Sequence, residues 1–344
     1  MPTTINFKPK QVSKKLLSAL NERSKDVITR RYGLGKDPDQ MTLDAIGKIY
    51  GITRERVRQI ENHALNAIRK SKGYTEEKPV FDEIEKLIQD LGGIIVEQDL
   101  LDHVSKDGST QSHLNFLLVI GHPFKKIKED EDFKHRWLIN EELAGKIHNS
   151  LKKLYESLKD NELISEQEII KSFLGYVENV AEHYRTEEIA KRWLSISKKI
   201  GKNPLGEWGK TESSNISTKG MRDYAYLVIR KHGSPIHFRE VAKAITSVFN
   251  KKAHVATTHN ELIKDSRFVL VGRGLYALSE WGYMSGVVKD VIKKLIEKNG
   301  AMSKQDVIDK VMKERYVKEN TIIINLQNKK YFKKNKEGKY EVAK

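Results

Sequence analysis

Four times along the chain an acidic residue precedes two aliphatic ones at the start of a stretch with helical periodicity, and the interval hardly changes. The acids are Asp99, Glu168, Glu240 and Asp306, and the pairs behind them are Leu100-Leu101, Ile169-Ile170, Val241-Ala242 and Val307-Ile308. A spacing of about seventy residues leaves room for one small domain per copy, so the chain reads as a series of modules rather than one core. Ser165 with Glu168 has the form of a capping box, and Ser303 with Asp306 a looser one, so each copy is expected to open a helix. Ahead of each copy lies an amphipathic stretch ended by turn formers: Gly92-Gly93, Lys159-Asp160-Asn161, His232 to Pro235, and Asn299-Gly300. Behind the copies, alternating residues around a turn predict hairpins within 124–139, 268–278 and 331–342; none is evident after the second. Helix, turn, helix, helix, hairpin is the order of a winged helix. Capped amphipathic helices also recur by chance in globular chains, which is the competing reading.

The expected fold class is therefore mainly α, a multi-domain chain in which a helix-turn-helix module is followed by winged-helix-like units with small β-hairpin wings. The expected boundaries are 1–75 for the first module, 78–140 for a winged helix and 141–205 for a helical or degenerate winged unit. A linker at 206–220, a winged helix at 221–283 and a basic winged-helix-like unit at 285–344 follow.

Lys and Arg number 63 against 47 Asp and Glu, a net charge of +16. The excess sits at the two ends, residues 1–75 and 283–344, while 76–282 is close to neutral. A polyanionic partner held by the ends fits this distribution; the alternative is an ordinary solvated surface. The chain has no cysteine, which excludes disulfides, thiolate zinc sites, iron-sulfur clusters and cysteine nucleophiles. Met1 to Lys15 holds no apolar core segment, and no run of apolar residues is long enough to span a bilayer. A cytoplasmic protein without membrane contact is expected.

Residues 16–70 carry the most specific pattern. Glu22 to Tyr32 predicts an amphipathic helix that Gly33 ends in a left-handed conformation. Thr42 caps a short helix with Leu43, Ile46 and Ile49 on one face, and Gly51 makes the turn. Thr53 then opens a longer helix with Val57, Ile60, Ala64 and Ile68 inward. Gly47 suits a close crossing. Arg54, Glu55, Arg58 and Gln59 fall on the outward face, where arginine can bond guanine bidentately, glutamate can accept from the cytosine amine and glutamine can pair with adenine. These four are the candidate base readers.

The string from Met41 to Glu61, with Thr53-Arg54-Glu55-Arg56-Val57-Arg58-Gln59-Ile60-Glu61 at its end, and Arg30-Arg31-Tyr32-Gly33-Leu34 before it, closely resembles region 4 of primary bacterial sigma factors. That resemblance implies promoter-like double-stranded DNA, read at a minus-35 element. It implies phosphate contacts from Thr53 and Arg56 and, as a partner, core RNA polymerase, docked through its beta flap. No segment resembles sigma region 2, so a complete, autonomous sigma factor is not expected.

Residues 221–283 resemble a HARE-type helix-turn-helix domain such as that of the RNA polymerase delta subunit. Tyr224 to Ile229, His232 to Val241, Asn260 to Ile263 and the Gly272-Arg273-Gly274 turn carry the likeness. It implies association with DNA or transcription machinery. His254, Thr257, Thr258 and Lys264 then face either DNA or solvent, with Arg273 at the wing tip as a phosphate contact. In the last unit Lys318, Asn320 and Asn325 lie on a helix. Lys329, Lys330, Lys333 and Lys334, with Lys336 and Lys339, ring a wing that interleaves Tyr331 and Phe332, and are expected to meet phosphates without reading sequence.

Nothing in the chain reads as catalytic. The histidines lack a third ligand at metal-binding spacing, no phosphate-binding loop occurs, and the acidic runs Glu129 to Asp132 and Glu187-Glu188 are read as surface patches without a positioned partner. A non-enzymatic transcription protein without cofactor or metal is expected, acting with RNA polymerase in initiation or its regulation. An accessory, delta-like factor that docks on polymerase without reading bases is the second reading, and a nuclease-related specificity subunit the third. The sequence leaves the oligomeric state open.

Overall fold

The computed structural model describes residues 5–36 and 39–343. Seventeen α-helices among them, against ten strands of two to four residues in sheets of two or three, make the protein mainly α. The chain divides into two compact units, residues 1–201 with 208–211, and 202–207 with 212–344.

The first unit begins with helices α1 (Pro9–Leu17), α2 (Glu22–Tyr32), α3 (Leu43–Tyr50) and α4 (Arg54–Arg69). There follow α5 (Lys72–Glu76), α6 (Lys78–Asp90), β1 (Ile94–Val96), α7 (Glu97–Val104), α8 (Gly108–Ile120), β2 (Lys125–Ile127) and β3 (Arg136–Leu138). The last stretch holds α9 (Glu141–Ser157), α10 (Glu166–Tyr176), α11 (Glu187–Ile196), β4 (Ile200–Lys202) and β5 (Trp208–Lys210). The second unit contains α12 (Met221–His232), β6 (Ile236–His237), α13 (Phe238–Phe249), α14 (Val255–Lys264), β7 (Phe268–Leu270) and β8 (Leu275–Leu278). It continues with α15 (Val288–Asn299), α16 (Lys304–Glu314), α17 (Glu319–Leu326), β9 (Phe332–Lys334) and β10 (Tyr340–Val342).

The fourfold sequence repeat is a fourfold structural one. In each copy the aliphatic pair lies in the helix that the acid opens, and all eight of these side chains are buried. The segment leading into that helix pairs antiparallel with the last strand of the same copy. Ile94 meets Leu138, Ile164 meets Trp208, Ile236 meets Tyr276 and Met302 meets Tyr340. Ser165 accepts from the Glu168 N–H at 3.3 Å while the Glu168 carboxylate accepts from the Ser165 N–H at 3.2 Å, a reciprocal capping box. Ser303 accepts from the Asp306 N–H at 3.1 Å.

The second copy differs from its sequence reading. It closes with β4 and β5, and the stretch 206–220, expected to be a linker, holds β5 and buries Trp208, Ser213, Asn215 and Ile216. Strands of three residues that bury only Ile200, Trp208 and a glycine give no alternation to read. The acidic run is likewise partnered: Glu129 pairs with Lys198 at 2.7 Å, Asp130 with Arg136 at 3.0 Å, and Asp132 with Lys199 at 2.6 Å.

Helix α8 is apolar on nearly every side and packs against the opening helices. Its Leu114, Phe116 and Leu117 share one core with Leu16, Leu17, Ile28, Tyr32, Leu65 and Ile68, and the Tyr32 and Phe116 rings lie 5.4 Å apart. Arg69, at the end of α4, donates to the carbonyls of Val119 at 2.8 Å and Ile120 at 3.1 Å, closing the C-terminal end of α8. The opening module and the first repeat are thus built on one core.

Buried Arg136 donates from Nε to Nε2 of His148 at 2.9 Å, and the imidazole stacks on Phe133. Burial, then the neighbouring guanidinium, pushes the His148 pKa down to about 4. Acidification therefore protonates the unfolded chain first: stability falls as pH drops from the ordinary histidine value near 6.5 towards 4, and levels off below it. Urea midpoints across that window should show a steeper loss for the native chain than for His148→Gln, which keeps an acceptor for Arg136 but does not titrate. Equal slopes would exclude His148 as the source.

Candidate nucleic-acid interface

Local chemistry sets the turn between α3 and α4. Thr42 accepts from the Ala45 N–H at 3.1 Å and Thr53 from the Arg56 N–H at 3.2 Å, each capping the helix it precedes. Gly51 ends α3 at φ 63°, and the Gly47 carbonyl accepts from both Gly51 and Ile52. Gly47 is required for a second reason: a Cβ there would lie 2.6 Å from the Ile52 carbonyl oxygen, so the incoming chain touches the backbone of α3 directly. Val27, Ile46 and Val57 make the small core, with Leu43, Tyr50, Ile52 and Ile60 against it. Ile49, expected inward, is 51% exposed, because the packed face centres between Ile46 and Gly47 and takes Tyr50 instead.

Thr53, Arg54, Glu55, Arg56, Arg58 and Gln59 all stand exposed on the first two turns of α4. The Arg58 guanidinium donates twice to the Glu55 carboxylate, at 2.8 and 2.6 Å, and Arg56 donates to the Gln59 carbonyl oxygen at 3.0 Å. Bonded to Arg58, the Glu55 carboxyl is held below its ordinary range and stays an acceptor. Both pairs lie in solvent, so exchanging them for base edges costs little. The exposed N-terminus of α4 adds its positive dipole end beside Thr53 and Arg56, which suits a phosphate. The four candidate readers and the two candidate phosphate contacts thus form one continuous patch of side chains able to bond base edges and phosphates.

The remaining candidates lie in the second unit. Lys329, Lys330, Lys333 and Lys334 are exposed around β9; Lys330 lies 5.8 Å from the Tyr331 ring centroid and Lys334 5.2 Å from that of Tyr340. Arg273 is exposed between β7 and β8. Thr258 does not face outward: it is fully buried and donates to the His254 carbonyl at 3.0 Å. Sequence reasoning missed a cluster of exposed apolar residues beside Arg273, namely Leu270, Val287, Met312 and Tyr316. Their spacing matches that of core residues, and no signal in the sequence separates the two. Among the described residues no three His, Asp or Glu side chains gather as a cation site, and no helix is long and apolar enough to cross a membrane.

Comparison with known proteins covers the same segment. Residues 16–70 match the family model of sigma-70, region 4. The RNA polymerase sigma factor RpoD of Helicobacter pylori is 52% identical over 54 residues, 16% of this chain and 8% of that protein. The sigma factor SigA of a Nostoc species is 49% identical over 55 residues, 14% of its length, and the principal sigma factor HrdD of Streptomyces viridifaciens is 46% identical over 55 residues, 16% of its length. The chain thus matches less than a fifth of each relative, and what it shares with them is a sigma-70 region 4 domain at residues 16–70.

Proposed function

We propose that this chain is a non-enzymatic, DNA-binding transcription protein that reads a minus-35-like promoter element through α4 and acts with RNA polymerase. The observation that carries the reading is the exposed patch of Arg54, Glu55, Arg58 and Gln59 at the start of the second helix of a helix-turn-helix. The repeated units behind it, each with three helices and a terminal hairpin, serve as winged-helix modules, the one at 221–283 of HARE type. The lysines around β9 add phosphate contacts that raise affinity without specificity.

The second reading, a delta-like factor docked on the polymerase flap without reading bases, is less well supported. The apolar side of α1, α2 and α4 is already packed against α8, which leaves the polar face of α4 as the outward surface.

Titration of the whole chain with minus-35 and scrambled duplexes across a salt series tests the proposal. Arg58→Ala and Gln59→Ala should each cost about 1–3 kcal/mol on the minus-35 duplex and little on the scrambled one. Equal affinities and salt slopes for both duplexes, unchanged by the substitutions, would reduce the interaction to charge alone. Plasmid incubated with the protein and magnesium should stay uncut.

A further inference from the structure

The second unit carries a groove of about 790 Å³ where the β7–β8 turn faces α16 and the segment leading into α17. Its walls are apolar: Leu270, Val287, Met312 and Tyr316 are each between 47% and 58% exposed, an unusual density of bare hydrophobic surface. No Asp or Glu lines it, while Arg273, Arg315 and Lys318 all do. Arg315 is the buried one of the three. Only 3% exposed, it donates to the carbonyls of Glu314 at 2.8 Å, Gly286 at 3.0 Å and Met284, and among the described residues no carboxylate pairs with it. The three carbonyls and the field of the adjacent Glu314 carboxylate hold this guanidinium out of water, so the exposed cations of the groove are Arg273 and Lys318. Burial holds the Arg315 pKa below the ordinary arginine value, against the opposing pull of the Glu314 carboxylate.

We infer that this groove is a docking site for an acidic, aliphatic-rich peptide segment of a partner protein, its side chains laid on Leu270, Met312 and Tyr316 and its carboxylates beside Arg273 and Lys318. A nucleic-acid backbone is a poorer occupant. It would satisfy the cations but strand the four apolar walls against phosphates, whereas an acidic amphipathic segment satisfies both. The site is independent of the base-reading patch on α4, which lies in the other unit.

The test uses the full chain and a short fluorescein-labelled peptide of leucine and glutamate at helical spacing, followed by anisotropy. Saturable binding is expected, weakened by about tenfold or more when glutamine replaces the glutamates, and equally by Arg273→Glu with Lys318→Glu, two exposed positions that folding tolerates. Met312→Asp should weaken it from the apolar side, and Arg58→Ala with Gln59→Ala should leave it unchanged. The inference is overturned by no saturable binding, by equal binding of the glutamine peptide, or by charge reversal that lowers duplex affinity while peptide uptake is untouched, which assigns the groove to nucleic acid. A concentration-dependent dimer that charge reversal dissolves, with no peptide uptake, overturns it in favour of a second copy of the chain.

Discussion

Replacing Gly47 by valine should open the turn between α3 and α4 and abolish binding to the minus-35 duplex. Helix propensity alone predicts the opposite, since glycine inside a helix costs about 0.5–1 kcal/mol relative to alanine. Geometry decides the sign. Any Cβ at this position meets the Ile52 carbonyl oxygen at 2.6 Å, and that oxygen is backbone, so relief requires moving the chain that leads into α4. Overpacking of this kind costs about 1–3 kcal/mol for alanine and more for the branched side chain. Because Thr53 and the four proposed readers follow directly, the displacement reaches the proposed duplex contacts. Gly51 offers the control: nothing lies within 4 Å of a Cβ built there, and only its φ of 63° resists substitution, so Gly51→Asn should be mild. Urea midpoints and duplex titrations on the three proteins check this; a Gly47→Val protein with native duplex affinity would refute the role given to the close approach.

The largest loss of stability is expected from Trp193→Ala, at about 3–5 kcal/mol. Trp193 is fully buried in α11, near Phe173 at 6.3 Å and Tyr184 at 6.2 Å between ring centroids. Its indole N–H donates to the Gly92 carbonyl at 3.0 Å, tying α11 to the turn before β1. Gly92 has φ 113° and would bring a Cβ within 2.9 Å of the indole nitrogen, so the two residues are fitted to each other. Trp193→Phe keeps most of the buried area but leaves the carbonyl without its donor and should fall between the native chain and Trp193→Ala. Thermal melts of the three proteins, with the second unit as internal reference, give the order; a melt unchanged by alanine would contradict the packing described.

What the sequence announced was local. Thr42, Gly33, Gly51, Thr53 and the Ser165–Glu168 box act within a few residues of themselves, and each stands where its chemistry puts it. The repeat was legible because the buried aliphatic pairs follow capped helix starts, so position and burial coincide. The exposure of the candidate patch on α4 was legible for the same reason, being one face of one helix. Whatever depended on distant residues was hidden. Ile49 fits the inward period, but the faces of α2 and α4 choose Tyr50. The acidic run looked like bare surface until Lys198, Lys199, Lys152 and Arg136 were brought to it from other elements. Trp193 and Gly92 are 101 residues apart, a fit that no window of sequence contains.

The shared core beneath the opening helices has a practical corollary. Cut free at residue 75, the domain would turn Leu16, Ile28, Tyr32, Leu65 and Ile68 towards water, because the helix that covers them is encoded more than thirty positions downstream. A transplant of the proposed DNA-reading segment into another scaffold must therefore bring Gly108–Ile120 along or recode those five sites. The same dependence means that the aim of α4 is fixed by the residues of its host, not by a hinge of its own.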